Sequence, residues 1–479
     1  MKADQRLVGG VAFAAITIFL FASIAIFGGN DYNVGTDLGI HLGFAREIAR
    51  VGWPLPTSSA FLPMAHYPPL SHLLALCAGL IAGSSLYGIS VVTASAFVLV
   101  YICAARLMQR EGLLQTIMTF VIFLGLSIAL RKWRFLEGGE VVENFFFAQF
   151  VATGLMLACA TLLLESGWSF GRWMIAAALM THLLGWAYGP SAIEFALTCT
   201  AFQGLAFLQQ PSMRLFWRAL LACTLLNAIA VVHPTMIGAL AIAANDGGIS
   251  IEGHSLSIAF VALVLGSIIV AAFHLCKGLA GWRTILSLNI GVSAICAAQF
   301  LAFQLVNVGS IYAVKKYGFL VGTLALMTWS ILLAELAQAF FDLRLRWSFH
   351  PAYRWVAICF LGLLMLPVLT VGRPHTGFAA LQQYGAKIDE LVQRMPELVG
   401  STVSWNRRMT PHVNYTAGVG WLAPAQAIAD QHAIFEVEPR LTGAAKFVIV
   451  DAETAAAYSG PCVIGATADI SAVRASCWR

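Results

Sequence analysis

The chain is patterned as apolar runs of about 20 residues separated by short polar breaks. The runs fall near 8–28, 86–107, 113–131, 145–164, 172–188, 190–208, 214–234, 256–276, 283–306, 318–341 and 354–372. A helix rises about 1.5 Å per residue, so runs of this length match the roughly 30 Å hydrocarbon core of a bilayer. The pattern predicts an all-α polytopic membrane protein with about 11 spans. The run at 70–84, LSHLLALCAGLIAGS, is too short to span comfortably and sits between Pro- and Gly-marked breaks. It is expected to be re-entrant or to lie at the membrane surface. Short alternating segments of the kind a membrane β-barrel requires do not dominate.

Composition agrees with this pattern. The 479 residues are 59% hydrophobic and only 11% charged, against about a quarter charged in soluble domains. The first run follows Lys2 and Arg6, ends in FGGND without an A-x-A cleavage pattern, and exceeds the apolar core of a secretory signal. It is expected to be a retained span with a cytoplasmic N-terminus. On that orientation Arg106, Arg110, Arg172, Arg214, Arg218, Lys277, Arg283, Arg344, Arg346 and Arg354 all fall in cytoplasmic loops, as the positive-inside rule requires. Two outer loops break the rule: one holds Arg131, Lys132 and Arg134, the other Lys315 and Lys316. No basic, aromatic-interleaved tract points to nucleic acid.

The chain divides into a membrane domain, 1–372, with a long outer loop at 29–70, and a polar segment, 373–479. The latter carries nine of the 28 Lys and Arg and short apolar runs such as KFVIVDA and PCVIGA. It is expected to form a small extracytoplasmic α+β domain. Eight of the ten Cys lie in apolar runs as packing residues. The other two, Cys462 and Cys477, are candidates for a disulfide in an oxidising compartment.

Three outer loops collect polar groups. In the first, DLGIHLGFAREIARVG has helical character and places Asp37 and His41 four residues apart, on one face. Asp37 reads equally well as a helix N-cap. In the second, RKWRFLEGGEVVENFF, three glutamates follow three cations; Glu140 and Glu143 share a face at the mouth of the next span. Taken alone it reads as a solvated interfacial loop, its acids favoured by the helix dipole. In the third, YAVKKY brackets Lys315 and Lys316 with Tyr312 and Tyr317, ordinary interface anchors when taken singly. Acids and cations converging on one face suggest that a carboxylate takes a proton from a hydroxyl while cations hold a phosphate leaving group. His182 and His233 read as interfacial or packed residues. No H-E-x-x-H, clustered Cys/His, P-loop, G-x-G-x-x-G or G-x-S-x-G pattern occurs.

In the order of its parts the chain resembles the GT-C superfamily of integral membrane glycosyltransferases, over roughly residues 5–375. The parts are a first span, an outer loop opening on Asp37, then HYPPLSHLLAL, two spans with a basic turn, and a second acidic loop. YAVKKY resembles the Tyr/Lys loop of arabinofuranosyl- and mannosyltransferases. The resemblance implies transfer of one sugar from a polyprenyl-phosphate donor to a hydroxyl of a cell-envelope glycan, lipid or protein. Transfer would occur at the outer face of a bacterial cytoplasmic membrane, with inversion expected. It implies Asp37 as general base, assisted by Glu140 or Glu143 and neighboured by His41. Lys315, Lys316, Arg131 and Arg134 would hold the donor phosphate, and His66, Tyr67 and Tyr312 would line the donor and acceptor pocket. No cofactor or metal is required, although a carboxylate pair leaves room for Mg or Mn.

Two rivals remain. A transporter or flippase of lipid-linked sugars would place ionisable residues near span centres, whereas here they gather at the outer edge. An O-antigen polymerase or ligase would carry an arginine-bearing outer loop late in the chain, and the loop at 245–255 is poor in cations.

Overall fold

The computed structural model describes residues 36–59, 61, 64–65, 67–108, 113–130, 137, 146–236, 254–278, 281–342, 377–406, 409, 411–422, 441, 445–458 and 460–478. These form a mostly helical membrane protein with a small four-stranded sheet near the C-terminus. The apolar runs at 8–28 and 354–372 lie outside the described residues, as do His66, Arg131, Arg134, Glu140 and Glu143.

The first described element, α1 (Thr36–Val51), is the helix predicted from DLGIHLGFAREIARVG. It ends where Gly52 turns left-handed, with φ of 82°, and its N–H donates to the Ile48 carbonyl at 2.8 Å. A positive φ suits a residue without Cβ at this C-terminal position. Next comes α2 (Leu70–Ala82), too short to span, packed antiparallel against α3 (Ser85–Met108). A Cβ on Gly88 would meet the Ala75 carbonyl oxygen and approach Gly79 N to 2.6 Å, so the two backbones touch. The following helices are α4 (Leu113–Ala129), α5 (Phe147–Leu164), α6 (Phe170–Ala187) and α7 (Gly189–Gln209). After these come α8 (Met213–Val231), α9 (His254–Cys276), α10 (Gly281–Val306) and α11 (Ile311–Asp342).

Seven described helices are long and apolar enough to cross a membrane: α3, α5, α7, α8, α9, α10 and α11. The runs at 113–131 and 172–188 are helical as expected. Neither is among those seven: α4 has 17 residues, and α6 carries Arg172, Thr181 and His182. Ile175, Leu179, Ile269 and Leu305 are exposed on the helix surfaces, where lipid rather than water accommodates them. Inside, polar side chains close on backbone or on one another. The hydroxyls of Thr93, Thr181, Thr328 and Ser330 donate to the carbonyl four residues earlier, at 2.6–2.9 Å. Asn289 joins three helices, donating to Thr328 Oγ1 and accepting from Ser267, both at 3.2 Å. Such bonds stabilise helix contacts where lipid offers no competing partner.

The polar C-terminal segment begins with α12 (Gly377–Arg394), whose Leu381, Tyr384, Ile388 and Leu391 form one buried stripe. β1 (Thr402–Ser404) runs parallel to the central β2 (Phe447–Asp451). β4 (Ile470–Arg474) is antiparallel to β2, and β3 (Val463–Ala466) pairs with β4 across an irregularity between Val463 and Gly465. KFVIVDA and PCVIGA are thus the sources of β2 and β3. The short helix Ala452–Ala455 is N-capped by Asp451, which accepts from Thr454 N at 2.7 Å. Cys462 and Cys477 form a disulfide with 15 residues of separation.

Between β1 and β2 the chain forms α13 (Pro411–Ala417), continued by a π-helical turn, Gly418–Leu422. This turn packs against α1. A Cβ on Gly39 would lie 3.1 Å from Thr416 Cα, and one on Gly43 would lie 2.6 Å from the Val419 carbonyl oxygen and strike the Phe61 ring. The GIHLG spacing puts both glycines on one face and lets two backbones meet. We expect Gly43→Ala to destabilise the protein by about 1–3 kcal/mol, the usual cost of overpacking. Gly125→Ala, whose Cβ meets nothing within 4 Å, should be neutral or stabilising. Thermal melting of the detergent-solubilised protein separates the two; equal melting temperatures would refute the backbone contact.

Candidate active site at the head of the first described helix

Asp37 lies in the first turn of α1, inside the helix rather than ahead of it. A carboxylate there is favoured by the helix dipole. His41 follows one turn later and is buried. Its Nδ1 stands 2.9 Å from Nε2 of His72, a buried residue in the first turn of α2. Three aromatic rings enclose the pair. Phe44 is 4.7 Å from His72, centroid to centroid, Phe147 is 5.5 Å from it, and Tyr67 is 5.7 Å from both imidazoles.

α11 completes the group. Lys316 Nζ lies 4.7 Å from the centroid of the Phe146 ring, a cation–π distance. The Lys316 carbonyl accepts from Gln149 Nε2 at 2.6 Å, tying α11 to α5. The ammonium is within electrostatic range of both Asp37 and His41. Of the two adjacent lysines predicted here, Lys316 is the one that acts on Asp37. Tyr312 belongs to α11, but its side chain lies outside the described set.

The electrostatics follow from this packing. Asp37 keeps some solvent exposure, yet the protein around it desolvates the carboxyl and raises it to about 6; the nearby Lys316 charge pulls the other way. Burial holds His41 well below the ordinary imidazole range, and His72 and Lys316 lower it further. Burial takes His72 down to about 3. Both imidazoles are therefore neutral at pH 7, and Asp37 titrates close to neutrality.

Two further clusters hold α1 in place, and sequence reading missed both. The buried Glu47 carboxylate accepts two bonds from Arg50 at 2.8 Å and one from Ser59 at 2.6 Å. Burial opposes its ionisation, but the bonds from Arg50 and Ser59 outweigh that and lower it. Ser59 Oγ in turn accepts from Phe61 N at 3.0 Å, so Glu47 anchors the loop that returns toward α2. On the other side, Arg46 pairs with Asp389 of α12 and lies 5.1 Å from the Trp421 ring centroid, while Trp421 Nε1 donates to Asp389 at 3.0 Å.

Of the three second-loop glutamates, the described one, Glu137, is buried. Its backbone N–H donates to Thr323 Oγ1 at 2.8 Å. Its carboxylate acts on the buried Glu194 of α7, not visibly on Asp37. Glu194 lies in an otherwise apolar run, GPSAIEFAL, and only its charge singles it out in the sequence. His182 and His233 pack together, ring centroids 4.9 Å apart, with Trp186 against both. Among the described residues no group of three or more His, Cys, Asp or Glu is arranged to hold a metal ion.

No family model matches the chain, and no curated protein does. Two solved structures are similar over nearly the whole length. One is the crystal structure of ArnT from Cupriavidus metallidurans bound to undecaprenyl phosphate. It is 15% identical, with a TM-score of 0.45, covering 95% of this chain and 97% of that one. The other is the same protein in the apo state, 14% identical, with a TM-score of 0.45, covering 99% and 98%.

The raised carboxyl of Asp37 has a definite linkage sign. The folded protein holds this proton more tightly than the unfolded chain, whose value is the ordinary 3.8. The contribution of Asp37 to stability therefore falls as pH rises from 3.8 to about 6. Asp37→Asn should remove that component. Lys316→Gln should move the Asp37 midpoint upward, because the ammonium lowers it. Carboxyl titration by infrared difference spectroscopy tests both, and a midpoint near 3.8 would refute burial of the group.

Proposed function

We propose that this protein is a membrane glycosyltransferase. It moves a single sugar from a polyprenyl-phosphate donor to a hydroxyl of an envelope glycan, lipid or protein, with inversion. The observation that carries this reading is the meeting of Asp37 and Lys316, from the first outer helix and from the head of α11, 279 positions on, in one partly desolvated site. A carboxyl titrating near 6 is ionised at neutral pH yet basic enough to accept a proton from an attacking hydroxyl. An ammonium beside it neutralises the phosphate that departs from the anomeric carbon. Lys315, next to Lys316 on the same helix turn, adds positive charge at the same mouth. Glu140, Glu143, Arg131 and Arg134, which lie outside the described residues, are assigned from the sequence to support the base and the phosphate.

The sidedness of the reaction is part of the proposal. A disulfide between Cys462 and Cys477 suits an oxidising compartment. The segment that carries it packs on α1 through Trp421 and Asp389. The sheet and the Asp37 site therefore belong to the same face, and an extracytoplasmic domain spanning 373–479 is consistent with both.

Asp37→Asn should lower transfer by about 10²–10⁴-fold, the usual worth of a general base. Lys316→Gln should lower it by about 10²-fold or more. Mass spectrometry of envelope glycans from cells carrying each variant, at matched membrane levels, reads both. A wild-type glycan profile with Asp37→Asn would remove Asp37 as the base. Transfer that persists from a nucleotide sugar after polyprenyl phosphate is depleted would overturn the donor class.

A further inference from the structure

α5 and α11 begin on the Asp37 side of the bundle, joined through Gln149 and the Lys316 carbonyl. Successive helices reverse direction, so α6, α8 and α10 begin, and α7 ends, at the opposite end. Five side chains form a row there. Arg218 of α8 lies over the Phe170 ring, its Cζ 4.9 Å from the centroid. Phe170 and Trp173 of α6 are nearly parallel, with centroids 6.2 Å apart, and Trp173 and Phe202 of α7 are likewise parallel at 6.5 Å. Arg283 of α10 closes the row, its Cζ 4.2 Å from the Phe202 centroid. A cation, three rings and a second cation thus cross four helices.

Both guanidiniums are spent on ring faces. Among the described residues neither donates a hydrogen bond or pairs with a carboxylate. Glu165, at the same end, is taken by Arg106 at 3.1 Å. Arg283 is half-buried, and its Nε is sealed from solvent with no acceptor. Trp173 is 4% exposed, and its Nε1 also has no acceptor. Partly burying a guanidinium without an anion is costly. A ring covers only one face of it, however, and leaves its in-plane N–H groups available to phosphate oxygens. Surface charge at this end is already supplied by Arg172 and Arg214, both exposed, so topology does not account for two arginines laid on rings. Trp168 and Trp217, sequence neighbours of Phe170 and Arg218, are exposed, as indoles at the headgroup level of a membrane are. Deeper on α6, Ile175 and Leu179 are exposed to acyl chains.

We propose that this row is a binding site for anionic phospholipid in the leaflet opposite Asp37. Arg218 and Arg283 donate in-plane N–H groups to phosphodiester oxygens, and the acyl chains lie along the exposed face of α6. The site is separate from the Asp37 chemistry and does not rest on the reading of the protein as a glycosyltransferase.

The test is native mass spectrometry of the full chain in detergent, titrated with dioleoyl phosphatidylglycerol or dioleoyl phosphatidylcholine. The two lipids share their chains and their phosphodiester and differ in net charge. Phosphatidylglycerol should bind more tightly and stay attached at collision energies that strip phosphatidylcholine. Arg218→Gln and Arg283→Gln should each weaken phosphatidylglycerol binding about fivefold, and the double variant about 25-fold, on the usual worth of a basic residue at an anionic headgroup. Arg214→Gln removes the same charge from the same end without touching the row and should change little. Equal binding of the two lipids by the wild type would overturn the proposal. So would a loss in Arg214→Gln as large as that in Arg283→Gln, because surface charge alone would then suffice. Displacement of phosphatidylglycerol by millimolar inorganic phosphate would overturn lipid as the ligand. If Arg283→Gln fails to accumulate, Arg218→Gln, on a side chain nearer the surface of the row, decides the matter.

Discussion

The site depends on two backbones being allowed to touch. Gly39 and Gly43 of α1 face Thr416 and Val419; a Cβ would press tightly on its neighbours at Gly39 and collide with them at Gly43. This contact sets the depth at which α1 lies under the C-terminal segment, and with it the height of Asp37 and His41. Arg46, Asp389 and Trp421 then fix the rotation of the same helix about its axis. Glu47, through Ser59, fixes the loop that leads on to α2 and so to His72. Packing determines where α1 sits, and the buried polar pairs determine which way its faces point.

Within that frame the chemistry comes from selective desolvation. The same surroundings that raise Asp37 hold both imidazoles neutral. Burial leaves the carboxyl poised near neutrality and both imidazoles uncharged; around the imidazoles it is the Phe44, Tyr67 and Phe147 rings that do the packing. Lys316 moderates the effect on Asp37. Stability and the proposed activity are set against each other here, because the ionised form of Asp37 that the proposed reaction requires is the one the fold accommodates less well.

Much of this architecture was legible in the sequence, because hydrophobic period and charge placement act locally. The apolar runs gave the membrane helices, and their lengths separated α2 from true spans. The four-residue spacing of Asp37 and His41 put them on one face, as observed. What could not be read were pairings set by tertiary contact. His41 and His72 are 31 positions apart, and Arg46 and Asp389 are 343 apart. Lys315 and Lys316 are neighbours on a helix, and only the rotation of α11 decides which of them reaches Asp37. GIHLG was present as a pattern, but its meaning depends on a partner segment that nothing local identifies. Glu137 and Glu194, 57 positions apart, act on one another through burial that nothing local in the sequence signals.

The partner of Gly43 is some 376 positions further along the chain. During synthesis, at roughly 5–20 residues per second, about 20–80 seconds separate the two ends of this contact. Through that interval the glycine face of α1 has no Val419 to cover it. The segment that carries Asp37 and His41 is therefore made first and completed last. This order also makes the C-terminal sheet, with its disulfide, the final step in assembling the site rather than an appendage to it.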